Sequence, residues 1–106
     1  MNWFGRIFKK LNTSSDNCIF KELNKPISGN YFIEFLGCTG QLSDNYVRAR
    51  KIVYRDGQFY LYGWRQMFPT YQVLPVDRIL TIADEVSGEL VPREDVLRWL
   101  WRRAMR

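Results

Sequence analysis

The chain has 106 residues, enough for one hydrophobic core and too few for two. Apolar residues make up 46% and charged residues 25%, a balance that excludes a wholly disordered chain. The net charge is +5, histidine is absent, and no apolar run approaches the ~18 residues of a helical membrane span, so histidine-based catalysis and integral membrane insertion are both excluded.

The charge excess sits at the two ends. Residues 1–25 carry five basic side chains against Asp16 and Glu22, a net +3. Residues 93–106 carry five arginines against Glu94 and Asp95, also +3, whereas 26–92 is close to neutral. Such ends suit an anionic partner, or simply a solvated surface. The segment 1–11 places Trp3, Phe4, Ile7, Phe8 and Leu11 at helical spacing, with Arg6, Lys9 and Lys10 largely opposite. It predicts a short basic amphipathic helix whose apolar stripe packs on the protein's own core, in preference to a membrane surface. Six small polar residues, 12–17, follow as a linker, so 1–25 is taken as N-terminal helix plus linker. Two cysteines, Cys18 and Cys38, fall short of a disulfide framework or a zinc site, and no secretory signal is read. Reduced thiols in the cytoplasm are the expectation.

Short β runs begin at Tyr31. The segments 31–36, 46–54, 58–64, 70–74 and 76–82 read as five strands, with Asp56-Gly57 as the strongest hairpin signal. Five short strands with tight turns predict a mainly β fold, a small five-stranded antiparallel barrel whose closure removes exposed edges. Pro92 then opens a C-terminal basic helix over 92–106, with Glu94 and Asp95 at its start and Arg102, Arg103 and Arg106 at its end. Its apolar stripe is Val96, Leu97, Leu100, Trp101 and Ala104. Trp99 falls off that stripe and, with Arg102 and Arg103, forms a candidate surface for a protein partner or a second copy of the chain.

Strand alternation supplies the candidate site. Arg48 and Arg50 share a face with Ile52 and Tyr54 on one strand, and Tyr60, Tyr62 and Trp64 share a face on its hairpin partner. If the two sets meet, they make a basic groove lined with rings, suited to phosphates and stacked bases. The alternative puts the Tyr60–Trp64 stripe in the core and turns Phe59 and Leu61 outward. Arg65, in the loop after Trp64, either joins the groove or is a solvated loop arginine. The carboxylates Asp44, Asp56, Asp77 and Asp84 are scattered, no Walker glycine loop is present, and neither cysteine has a histidine to activate it, so no enzyme and no cofactor are expected.

Arg50-Lys51-Ile52, Asp56-Gly57, Phe59-Tyr60-Leu61 and Val76-Asp77-Arg78-Ile79, in this order and spacing, resemble the WYL domain family over residues 31–82. Phe59-Tyr60-Leu61 stands in the place of that family's Trp-Tyr-Leu. The resemblance implies an Sm-like, SH3-type barrel of the kind found in bacterial and phage regulators, here with terminal helices. It further implies a non-catalytic, ligand-sensing role with a nucleic acid or nucleotide-like ligand, and makes Arg78 a ligand contact. The rival expectation is a protein-interaction or dimerisation module using the aromatic barrel edge and the C-terminal helix.

Overall fold

The computed structural model describes residues 23–66 and 70–105. The helix expected over 1–11, the 12–17 linker and Cys18 lie outside the described residues. Six strands form one antiparallel sheet: β1 (Leu23–Leu36), β2 (Leu42–Arg55), β3 (Gln58–Arg65), β4 (Tyr71–Pro75), β5 (Ile79–Asp84) and β6 (Leu90–Pro92). The helix α1 (Val96–Ala104) follows a 3-10 turn at Arg93–Asp95. The spatial order is β4-β3-β2-β1-β5-β6. No helix of the described residues is long and apolar enough to cross a membrane.

The mainly β expectation stands, but the five-stranded barrel does not. A sixth strand lies beyond β5, and β4 and β6 are edges not bonded to each other, so the sheet is open. It is nevertheless strongly curled, for a reason that follows from the connections. In a flat sheet β4 and β5 would stand four strand spacings apart, about 19 Å at ~4.8 Å each. The chain joins them through the 3-10 turn Val76–Arg78 alone. Four Cα steps from Pro75 to Ile79 reach at most ~14 Å even when extended. Only a coiled sheet brings the two ends within that reach.

Two local devices shape β1 and β2. Asp56 and Gly57 take φ of 52° and 81°, the left-handed pair that a two-residue hairpin turn needs. Farther along, the register jumps from Pro26–Lys51 to Gly29–Ala49 on one side of β2, and from Lys51–Tyr62 to Ala49–Gly63 on the other. Arg50 is the extra residue of this bulge. Gly29, at φ 141°, lets the Tyr31 ring lie where a Cβ would otherwise be, 2.5 Å from the hydroxyl oxygen. The Tyr31 hydroxyl donates to the Ser28 carbonyl at 2.9 Å.

The core lies on the inner face of the sheet, from Tyr31, Ile33, Val47, Ala49, Ile52, Leu61, Ile79 and Ile82, all buried. Helix α1 closes it with Val96, Leu100, Trp101 and Ala104, which agrees with the expected stripe. Burying an aliphatic side chain of this kind stabilises by roughly 1.5–3 kcal/mol, so the inner face carries most of the fold's stability. Phe59 and Leu61 are inside, which removes the alternative that turned them outward. Pro92 ends β6 instead of opening the helix, which begins at Val96.

Asp84 is the buried carboxylate of this core. Its Oδ1 accepts from the Val86 amide at 2.8 Å and the Ser87 amide at 3.3 Å, fixing the turn into β6. Its Oδ2 accepts from Arg103 of α1, locking the helix to the end of β5.

Candidate functional site

The outer face of β2, β3 and β4 is where the sequence-predicted ligand residues collect. β-register places Arg48 opposite Trp64, and Trp64 opposite Tyr71. The next row is Lys51, Tyr62 and Val73, and the next Val53, Tyr60 and Pro75. On the side away from the hairpin, Tyr46 stands opposite Phe32 of β1. Arg48 therefore does share a face with Tyr60, Tyr62 and Trp64.

Ring contacts join Trp64, Tyr71 and Tyr62 into one cluster, and Phe32 and Tyr46 into a second pair. Trp64 and Tyr71 meet edge to face with centroids 5.2 Å apart, and Tyr62 meets Tyr71 at 6.0 Å. Phe32 and Tyr46 lie 4.9 Å apart. The Lys51 ammonium sits over the Tyr62 ring at 4.8 Å, and the Arg55 guanidinium over Tyr60 at 5.1 Å. Tyr60 also donates to Gln58 at 3.0 Å. Trp64 is 42% exposed and Tyr71 46%, so large rings that a core would have buried stand in contact with water. A contiguous exposed aromatic patch of this sort marks an interaction surface more often than an isolated exposed ring does.

Among the described residues, the charge on this face has one sign. No Asp or Glu occurs between Asp44 and Asp56, or between Asp56 and Asp77. Arg48, Lys51 and Arg55 are its cations. Asp44, paired across from Glu34, marks the acidic boundary one row beyond Tyr46. Glu34 itself is engaged, accepting from the Thr81 hydroxyl at 2.7 Å.

The other expected ligand residues are placed differently. Arg50 is exposed but stands out of register at the bulge, so it does not share a row with Arg48; Ile52, expected beside them, is core. The bulge shifts the alternation by one between Ala49 and Lys51, and it brings Lys51 to the outer rows in place of Arg50. Arg65 lies on the inner side at the sheet's end, where its Nη2 donates to Asn45 Oδ1 at 3.3 Å. Asn45 in turn donates to Gln72 at 3.2 Å, and the Arg65 amide donates to the Thr70 carbonyl at 3.0 Å. Arg65 thus ties the end of β3 to Asn45 and Thr70 instead of extending the groove. Arg78 is exposed on the turn joining β4 to β5, off the rows of β2–β4.

The expected partner surface on α1 is also changed. Trp99 packs its ring on Tyr31, edge to face at 5.2 Å, and the Arg103 guanidinium lies 4.2 Å over Trp99 and 5.7 Å from Tyr31. Both side chains are committed to the helix–sheet junction. Arg102 remains exposed and, with Arg98 and Leu90, borders an open groove of about 240 Å³ between β6 and α1. Burial raises the Tyr31 phenol above its usual range, an effect that the Arg103 charge partly offsets.

Phe32, Tyr46, Lys51, Arg55 and Tyr71 were missed by sequence reasoning. The signal was present in the alternation of Phe32 with Tyr31 and Ile33, and of Tyr71 with Gln72 and Leu74. It was unusable until the bulge fixed the phase. Among the described residues no three of the metal-ligating types His, Cys, Asp and Glu come together as a site. Chemically, the outer face offers flat apolar surfaces beside fixed positive charges, an arrangement for binding planar anions. Comparison of the chain with family models, with curated proteins and with solved structures found no match.

Proposed function

We propose that this chain is a non-catalytic, WYL-like regulatory module that binds an anionic ligand, a nucleic acid or nucleotide, on the outer face of β2, β3 and β4. The observation that carries the reading is the row Arg48, Trp64 and Tyr71, continued by Lys51 with Tyr62 and Arg55 with Tyr60. A base that stacks on Tyr62 or Tyr60 displaces a cation from one ring face, which costs about 0.5–1 kcal/mol at an exposed site. Base–ring stacking returns roughly 1–3 kcal/mol, and the displaced cation moves toward the ligand's phosphate. The exchange therefore favours binding. The return of β5 to β1 and the short β4–β5 turn support the finer reading of a curled, SH3-type sheet.

Titration with short single-stranded DNA and RNA at two salt concentrations, read by tryptophan fluorescence, tests the proposal. Saturable binding that weakens with salt is expected. The double variant Arg48→Ala, Lys51→Ala should weaken it by more than tenfold and flatten the salt dependence. Unchanged affinity in a folded double variant would overturn the role of these two cations.

A second reading rests on β4. It is an edge strand with Tyr71 and Val73 exposed, a template for pairing with another chain. Self-association through this edge needs no nucleic acid, and sedimentation across a concentration series distinguishes the two.

A further inference from the structure

We infer that the outer face takes an unpaired strand four nucleotides long, laid along β2 and β3 with one base on each ring row. The inference rests on the nucleic-acid reading above and adds the length and form of the ligand. Four successive rows carry rings: Tyr46 of β2 with Phe32 of β1, then on β3 Trp64 with Tyr71 of β4, then Tyr62, then Tyr60. Neighbouring rows are two residues apart along a strand, a step of about 6.7 Å. That is roughly twice the ~3.4 Å rise of a stacked nucleic-acid strand. Bases resting on successive rows are therefore unstacked from one another, and each stacks on protein instead.

The cations match the same count. Four bases are joined by three phosphates, and among the described residues Arg48, Lys51 and Arg55 are the three cations in the rows of the face, with Arg50 set out of register at the bulge. A mononucleotide occupies one row and leaves the others in water. A duplex keeps its bases paired and offers no ring face to a sheet surface. Only a single strand uses all four rows.

Thymidine monophosphate, thymidylate oligomers of two to eight nucleotides without terminal phosphates, and a 16-base-pair duplex test this on the intact chain by tryptophan quenching. Affinity should climb at least 100-fold from one to four nucleotides. Beyond four it should rise only with the number of registers, to about fivefold per molecule at eight nucleotides. The slope of log affinity against log salt for the tetramer should be about −2, from three phosphates at ~0.7 each on a single strand. Tyr62→Ala, in the third row, should weaken the tetramer at least tenfold. Should that variant fail to fold, Lys51→Gln serves instead, and should lower the salt slope by ~0.7. A mononucleotide or the duplex binding as tightly as the tetramer would overturn the four-nucleotide site while leaving the anionic-ligand reading intact. Failure of every oligomer and mononucleotide to bind at low salt would remove both.

Discussion

Replacing Arg103 by Ala isolates the contact that ties α1 to the sheet. The Asp84 side chain is 6% exposed and the Arg103 side chain 25%, so the pair stands between a fully buried and a surface ion pair. Breaking a buried pair by removing one partner costs about 3–5 kcal/mol, whereas an exposed pair contributes about 0–1. Water reaches a quarter of the arginine, and Asp84 keeps the Val86 and Ser87 amides as donors. These two facts pull the expected loss down to roughly 2–3 kcal/mol, including the cation–ring contact with Trp99. Asp84→Asn removes the charge but leaves an oxygen for the turn amides, and should cost less, about 1–2 kcal/mol. In the Asn background no carboxylate is stranded, so Arg103→Ala should cost less there, with a coupling of about 1–2 kcal/mol. Urea unfolding followed by far-ultraviolet circular dichroism measures all four corners of the cycle, and Arg103→Ala alone should lower Tm by roughly 10–20 °C. Additivity within ~0.5 kcal/mol would refute the coupling. An Arg103→Ala variant as stable as the parent would return this arginine to the partner surface that the sequence pattern suggested.

Two further perturbations probe the sheet and its core. A Cβ on Gly63 would lie 2.5 Å from the Arg48 carbonyl oxygen and 2.7 Å from Val47 Cγ1, so Gly63→Ala should destabilise by about 1–3 kcal/mol. Thermal unfolding measures the loss, and an unchanged Tm would show that β2 and β3 are not this close. Tyr31 has its folded pKa raised chiefly by burial, so the folded state holds the phenol's proton more tightly than the unfolded one. Its contribution is complete below the unfolded value of 10.0 and is lost as pH rises from there through the folded pKa. Tyr31→Phe should remove that alkaline loss, and an identical high-pH profile for parent and variant would refute the assignment.

Strands with plain alternation were legible in the sequence, and so was the Asp56-Gly57 turn that links two of them. Tyr31–Leu36 and Gln58–Trp64 appear where expected because buried and exposed residues alternate without interruption. The first half of β1 was not legible. Pro26 and Ser28-Gly29-Asn30 are residue types that interrupt strands, yet the bulge uses them: Gly29 makes room for the Tyr31 ring, and Ile27 is buried beside it. A bulge has no sequence signature of its own, because it depends on two strands at once. For that reason the phase of β2 was misjudged beyond Ala49, and Arg50 and Lys51 exchanged roles. β6 escaped notice because three residues ending in proline carry too little alternation to register. Trp99 was assigned to a partner surface on helix periodicity alone, since the ring it packs on, Tyr31, lies 68 positions away in the chain.

The two faces of the sheet divide stability from binding along the same strands. Val47, Ala49, Ile52, Phe59 and Leu61 point inward and are buried, so each is fixed by packing. Their immediate neighbours Tyr46, Arg48, Lys51, Tyr60 and Tyr62 point outward, where burial does not dictate rings of this size. A polar β-former such as threonine would hold the same strands at less exposure of apolar surface. The outward rings are also not left as a bare hydrophobic patch. Lys51 and Arg55 each lie over one of them, covering apolar surface with a hydrated charge. The same two cations that keep the face soluble in the free chain are placed to meet phosphates when bases take the ring faces. Substituting Lys51 and Arg55 together by Gln should therefore have two effects in opposite directions, weaker binding to single strands and stronger self-association. Anisotropy titration reads the first and sedimentation velocity the second. Loss of binding with no gain in association would separate the two roles and leave the rings' solubility to another cause.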